Sequence, residues 1–300
     1  MRLYQDLAYL WPIVSPPEDY EEEAGYWRRA IRSHLGPGRH RILELGAGGG
    51  HNLSHLTADF EATAVDLSSN MIEHSRRLNP GVEHHVGDMR TVRLDRTFDA
   101  VLIHDAISYM LCEDDLRAAF ATAREHLRPG GLLLVAPDLV QENFEDGKVL
   151  RWPIRLPAEP GAIEVTVEEH LTDPDPTDTM IESMITYAIT EDGKQRLETD
   201  IHVVGLFPLK IWMSLMEEAG FMTEALPLPG DGDGCGEHLL SLNPPRVWSS
   251  VAGGGGGHGS GSVAWPVMAG VWGCLGVWFG RVSGGGVGFG GLGRVGLGWG

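Results

Sequence analysis

The chain of 300 residues is short of cysteine and of positive charge. Its three cysteines, Cys112, Cys235 and Cys274, lie far apart and form neither a CxxC pair nor a disulfide framework. Lys and Arg total 23 against 42 Asp and Glu, a formal net charge of −19. A surface this poor in cations repels a phosphate backbone and an anionic bilayer, which argues against nucleic-acid and membrane partners. No signal-peptide pattern opens the chain, since the first apolar run is interrupted by Asp6 and ends in "SPPEDYEEE". These shortages predict a reduced, cytoplasmic protein.

The scarcity is sharpest at the end. From Gly253 to Gly300 there is no Asp, Glu or Lys, only Arg281 and Arg294, and 21 of the 41 glycines fall there. The first 252 residues therefore carry 21 bases against 42 acids, a formal charge of −21. Val263 to Gly280 is uncharged over 18 residues, near the lower limit for a membrane span. Pro266 and four glycines weaken a helix there, and no dense basic flank anchors it. The segment reads as a low-complexity, disordered extension or an out-of-frame translation.

Ahead of the tail the hydrophobic pattern organises the chain into blocks. In "EDYEEEAGYWRRAIRSHL", Tyr20, Ala24, Trp27, Ile31 and Leu35 share one helical stripe, ended by "GPGRH". Strands are expected at Arg41–Leu45, Glu61–Val65, Val82–Val86, Phe98–Ile103 and Leu132–Ala136. Helices begin near His51, Ser69 and Glu113, the last stopped at "HLRPGG". This alternation predicts an α/β class with a doubly wound, mostly parallel sheet. Between Lys148 and Leu206 the period becomes that of strands, with "TEDGKQ" as a turn, which predicts an antiparallel insertion added to the main sheet. A helix with Ile211, Leu215 and Ala219 on one face follows, then strands at Thr223–Leu228 and Glu237–Leu242. The expected blocks are a helical cap (1–40), a cofactor-binding core (41–147), an insertion over the active site (148–206), a completing helix and strands (207–245) and the tail (246–300).

The chemistry concentrates at strand ends. The turn after the first strand reads Glu44-Leu45-Gly46-Ala47-Gly48-Gly49-Gly50, and a dinucleotide fingerprint starting at Gly46 would need glycine where His51 stands. Glycines let backbone N–H groups approach a ligand at a helix N-terminus. Glu44 beside them would repel a pyrophosphate and suits a cationic amino group. Asp66, 22 residues after Glu44, ends the next strand, where a carboxylate can accept both ribose hydroxyls. Asp88 ends the third strand and can accept from an exocyclic adenine amine. Three acids at successive strand ends, in register with the glycine turn, occupy the place where open α/β sheets bind ligands.

"ILELGAGGG", "AVDLSSNMI", "GDMR", "FDAVLIHDAISYM" and "LRPGGLLLVAPD", in that order, resemble the motifs of class I S-adenosylmethionine (SAM)-dependent methyltransferases. The resemblance spans roughly Tyr4 to Leu242 and implies a Rossmann-like seven-stranded sheet with a reversed last hairpin. It implies SAM as cofactor, with Gly46, Ala47, Gly48 and Gly50 along its methionine part, Asp66 on its ribose, and Asp88 with Met89 on its adenine. Leu67 and Met71 would pack on the adenine faces, although Met71 reads equally well as core. "GDMR" and the D-x-H…LF run before the last helix are similar to small-molecule enzymes that methylate nucleotide-linked amino sugars. The expected activity is methyl transfer to N or O of a small molecule. Methylation of a protein or RNA, and a non-catalytic SAM-binding regulator, are the alternatives.

Transfer from a sulfonium is an in-line displacement in which alignment and desolvation carry much of the rate, and a base helps when the acceptor carries a proton. His104, delivered by the fourth strand, is the first candidate to touch cofactor or substrate, followed by Asp105 and Tyr109. His170 and His202 come from the insertion as further catalytic candidates facing the acceptor, with ordinary surface or packing roles as the alternative. Tyr4, Tyr9, Trp11 and Tyr20 are candidates for an aromatic lid, and Tyr20 also for a cofactor contact. "NPPR" lies after the last strand and ends in arginine, so it is not the Asn-Pro-Pro-aromatic motif of amino-methyltransferases. His84-His85 and "DPDP" lack metal-ligand spacing, and no metal is expected. The partner is a small-molecule methyl acceptor, with a homodimer left open.

Overall fold

The first strand of the computed structural model, β1 (Arg41–Leu45), shows why the sheet lies at the centre: only Arg41 is exposed. Leu43 and Leu45 join one apolar cluster and Ile42 another, so successive side chains enter cores on opposite faces. The structure describes residues 1–152, 163–226 and 238–242; the glycine-rich tail, Cys235, Cys274, "NPPR" and the end of the last predicted block lie outside them.

Parallel pairing places β1 between β2 (Glu61–Asp66) and β4 (Phe98–Ile103), with β3 (Glu83–Val86) beyond β2 and β5 (Leu127–Val135) beyond β4. The sheet is completed by β11 (His238–Leu242), antiparallel to β5, and β10 (Met222–Leu226), giving the order β10-β11-β5-β4-β1-β2-β3. The chain leaves β1 in one direction towards β3 and returns on the other side at β4. That reversal opens a crevice at the carboxyl ends of β1 and β4.

The short α1 (Trp11–Val14) precedes α2 (Glu21–Leu35), whose Ala24, Trp27 and Ile31 are buried as the stripe requires. Then α3 (His51–Ser54) and α4 (Ser69–Leu78) follow the first two strands, and the Ser68 hydroxyl caps α4 by accepting from Met71 N. The opposite core is closed by α5 (Glu113–Glu125), with three acids in its first turn, and α6 (Leu209–Glu218). On α6 the fully buried face is Trp212, Leu215 and Met216; Ile211 and Ala219 pack at its margin.

Two expectations change. β5 begins at Leu127 and runs through Pro129-Gly130-Gly131, which was expected to be only a helix stop. Its register jumps from Phe98↔Leu127 to Ala100↔Leu132, so the Pro-Gly-Gly residues are absorbed as an irregularity where proline lacks a donor and Gly130 takes φ +75°. The insertion does not extend the main sheet. It forms a second, antiparallel sheet, β6 (Val149–Trp152), β7 (Glu164–Thr172), β8 (Met180–Glu191) and β9 (Lys194–Gly205). Long strands with one apolar face need a covering layer rather than an edge. The N-terminal segment supplies it, with Leu3, Leu7 and Leu10 packed on Val165, Val167, Tyr187 and Ile189. The expected turn joins β8 to β9, with Asp192 at φ 51° and Gly193 at φ 73°, as a two-residue hairpin loop with both residues left-handed requires.

Candidate active site

A cavity of about 690 Å³ opens at the crevice. Its floor is the glycine turn. Gly46 N and Ala47 N both donate to Val65 O (2.8 and 3.0 Å), and Gly48 N donates to Asp66 Oδ2 at 2.8 Å. A Cβ on Gly46 would stand 2.3 Å from Ala106 Cβ, and one on Gly49 2.4 Å from Trp11 Nε1. Only glycine permits this backbone so close to the facing wall.

Glu44, Ala47, Asp66, Leu67, Asp88, Met89 and His104 all line the cavity, as does Tyr20. Glu44 is 2% exposed; its Oε1 accepts from Asn52 Nδ2 at 3.2 Å and its Oε2 has no partner. Burial pushes its carboxyl up to about 8, against the pull of His104 and Asn52. Asp66, which burial also raises, receives Gly48 N on one oxygen and Ser68 N on the other, so turn and acid are locked together. Leu67 is 67% exposed at the rim.

Asp88 carries a partner that the strand-end argument missed. The Arg90 guanidinium grips both its oxygens, with Nη2 to Oδ2 at 2.7 Å, reaches Asp115 at 2.8 Å, and lowers the Asp88 carboxyl below its usual range. Met71 does not line the cavity. It is fully buried on α4, which is the core reading.

His104 is not a free base. Its Nε2 lies 2.6 Å from Glu23 and 2.8 Å from Asp105, and although burial opposes charge, the two carboxylates raise the imidazole well above its usual range. The result is a fixed cation. Asp105 in turn shares a hydrogen bond with Asp138; burial and the Asp105 charge raise Asp138, which keeps the shared proton, while Asp105 stays ionised through His104. Glu23 escaped sequence reasoning because it comes from α2, distant in the chain. Asp138, the last residue of "LRPGGLLLVAPD", was given no role because its contact with Asp105 crosses between two strand ends.

His170 lies away from the cavity, half-exposed on β7 and paired with Glu168 at 2.7 Å, which removes it from the candidates. His202 is buried and does not line the cavity either; it stands behind Tyr109, whose hydroxyl is 2.8 Å from its Nδ1. Of the lid aromatics, Tyr4, Trp11 and Tyr20 line the cavity. Tyr9 is 42% exposed and bonds Arg196 instead.

Trp11 Nε1, Glu44 Oε2, His51 Nδ1 and Asn52 Oδ1 are buried without partners and belong to cavity-lining residues. Orphaned polar atoms are costly. An acceptor pair on Glu44 and Asn52 beside a tryptophan donor fits the ammonium and carboxylate of an amino-acid moiety, so these residues fit SAM. Among the described residues no His/Cys/Asp/Glu group could hold a metal, and no helix is long and apolar enough to cross a membrane.

A family described as methyltransferase domain matches residues 42–131. The dTDP-3-amino-3,4,6-trideoxy-alpha-D-glucopyranose N,N-dimethyltransferase of Streptomyces venezuelae is 31% identical over 224 residues, covering 74% of this chain and 90% of the relative. The chain belongs to the SAM-dependent methyltransferases. Among solved structures, Streptomyces venezuelae DesVI superposes with a TM-score of 0.68 at 29% identity, over 80% of this chain and 96% of that one. SAM-bound CalS10, an amino pentose methyltransferase of Micromonospora echinaspora, gives 0.66 at 25% identity, over 75% and 91%.

Proposed function

We propose that this methyltransferase acts on the amine of a nucleotide-linked amino sugar. The observation that carries the reading is the cavity wall facing the glycine turn: the ionised Asp105, the Asp138 carboxyl and the hydroxyls of Tyr4 and Tyr109. Such a wall accepts the N–H bonds of an amine, whereas an acceptor hydroxyl offers a single O–H donor. The relatives' named substrates, dTDP-linked amino sugars, agree with it.

SAM, when bound, supplies an electrophilic methyl on a sulfonium. In the proposed arrangement Glu44 takes its ammonium and Gly46, Ala47 and Gly48 lie along its amino-acid half. Asp66 accepts the ribose hydroxyls, Leu67 and Met89 flank the adenine, Asp88 accepts from the adenine amine while Arg90 holds it, and Tyr20 and His104 close the remaining wall. The His104 cation balances Glu23 and Asp105, which holds these three side chains together. The N-terminal segment closes one side, because Tyr4 O accepts from Ser68 Oγ (2.7 Å) and Asn70 Nδ2 (3.2 Å) at the start of α4.

Incubation with SAM and a panel of dTDP-linked amino sugars tests the reading. Mass spectrometry is expected to show one or two methyl groups on the amino sugars and none on matched sugars with hydroxyl in place of amine. Methylation of the hydroxyl analogues alone would overturn it. The same reading leaves the protein in the cytoplasm and free of nucleic acid. We place a homodimer on the outer face of the second sheet, where Met184, Ile201, Val203 and Leu197 are exposed. Ile201→Lys is expected to lower the sedimentation coefficient to that of one chain; a wild-type protein that already sediments as one chain rules the dimer out.

A further inference from the structure

Behind the acceptor wall a line of hydrogen bonds leaves the cavity. Tyr4 and Tyr109 hydroxyls are 2.8 Å apart, Tyr109 reaches His202 Nδ1 at 2.8 Å, and His202 Nε2 reaches Asp200 Oδ2 at 2.8 Å. His202 and Asp200 are 4% and 3% exposed, on one face of β9. Asp200 Oδ2 also accepts from Leu3 N at 2.8 Å, and the amino group of Met1 lies 3.8 Å from Oδ1.

The chemistry gives this line a direction. Burial would raise the Asp200 carboxyl, but backbone N–H donors and His202 outweigh it and keep the group ionised. An ionised carboxylate only accepts, so His202 donates from Nε2, and the tautomer that carries its proton there accepts at Nδ1. Tyr109 therefore donates to His202, Tyr4 donates to Tyr109, and the Tyr4 oxygen has lone pairs left for a donor in the cavity. Burial raises both phenols above their usual range, so neither serves as a resting phenolate base.

We infer that Tyr4, Tyr109 and His202, oriented by Asp200, form a directed relay that takes the proton released by the acceptor nitrogen. The inference rests on the amine reading above. As the nitrogen gains its methyl and the carbon–sulfur bond of the sulfonium breaks, the N–H proton passes to Tyr4 Oη. The Tyr4 proton moves to Tyr109 and the Tyr109 proton to His202 Nδ1. Both phenols end neutral, and the charge rests as an imidazolium against Asp200. Tyr4 touches the substrate; Tyr109, His202 and Asp200 act through it. A second methylation at the same nitrogen needs this deprotonation again. The titratable groups around the line are Asp105 and Asp138 beyond β4 and β5, Glu169 on β7, Tyr187 on β8 and Asp200 on β9, with the Met1 amine at its far end.

The test uses the full chain and a dTDP-linked amino hexose. His202→Gln is expected to lower kcat about a hundredfold, within the range for a proton-transfer group, while calorimetric SAM affinity stays within twofold. Added imidazole restores part of the rate. Tyr109→Phe loses a similar factor, and the double variant loses little more, because both changes cut one line. A kcat for His202→Gln within threefold of wild type, or fully additive losses, would overturn the relay. Nitrogen-15 resonances of His202 provide a readout without turnover: an Nε2–H tautomer supports the relay, and an Nδ1–H tautomer overturns it. If the wild type methylates none of the amino sugars, the acceptor reading fails and the tautomer still decides the relay's orientation.

Discussion

Gly46→Ala is expected to weaken SAM binding at least a hundredfold, about 2.8 kcal/mol at 1.4 kcal/mol per decade. Two effects combine. Gly46 has φ +78°, where a side chain costs about 1–2 kcal/mol. The new methyl would also sit 2.3 Å from Ala106 Cβ and 3.0 Å from Met89 Cε. Ala106 belongs to the 3₁₀ turn Asp105–Tyr109 that follows β4, so the overlap pushes apart the glycine floor and the wall opposite. Displacing the turn breaks the paired donation of Gly46 N and Ala47 N to Val65 O, through which β2 holds the floor. Gly81→Ala is the control, because a Cβ there meets nothing within 4 Å and no left-handed φ is involved; its affinity stays at the wild-type value. Asp66→Ala is expected to lose at least tenfold, since it removes both the proposed ribose acceptor and the Gly48 N–H partner. Calorimetry at fixed salt measures all three. A Gly46→Ala protein that binds SAM within threefold of wild type would show that the turn is not the cofactor seat.

Where a signal is local, the sequence carried it. The central parallel strands β1, β2 and β4 announced themselves by largely apolar runs buried on both faces, whereas the edge strand β3 is polar and only partly buried. Glu44, Asp66 and Asp88 stand at or near strand ends, which a short window reveals. His104 shows the limit. Its position after β4 was legible, but its charge depends on Glu23 from α2, far along the chain, and on Asp105 beside it. A sequence window shows a histidine; only the fold shows a cation between carboxylates. The same holds for Asp88, whose grip by Arg90 is local but whose further link to Asp115 crosses to α5. The insertion is instructive in another way. Alternation identified its strands and its hairpin turn, yet alternation cannot say which layer will cover the apolar face. That choice separated His202 from His170. On β7 and β9, either side of β8, opposite faces of the sheet sent one behind Tyr109 and the other towards solvent, and residue type alone could not divide them. Met71 illustrates the reverse case, a methionine at helical spacing whose core role outweighed its motif position.

Cofactor binding is expected to release a proton near neutral pH, and Glu44 is its source. In the free protein burial holds this carboxyl at about 8, so it is protonated at pH 6 to 7. An ammonium beside the unpartnered Oε2 favours the ionised form, so the bound state gives the proton up. SAM affinity then rises with pH, by up to tenfold per unit while Glu44 is protonated in the free protein and ionised in the complex. The rise ends near pH 8, where Glu44 ionises unaided and α-amino groups begin to lose their charge, their ordinary value being about 8. The sign for folding is the opposite. The native state keeps a proton that the unfolded chain sheds, so the stability from this group is fully present below about 4.5 and is lost as pH rises towards 8. SAM should therefore protect against heat more strongly at pH 7.5 than at pH 6. His104, Glu23 and Asp66 also bear on Glu44, so the variant at Glu44 itself is needed to assign the proton. Calorimetry at pH 7 in phosphate and in Tris reads the proton directly, because the observed enthalpy shifts by the difference in buffer ionisation heats. Glu44→Gln is expected to remove that shift and flatten the pH dependence. An enthalpy independent of buffer in the wild type would mean that the ammonium does not rest on Glu44.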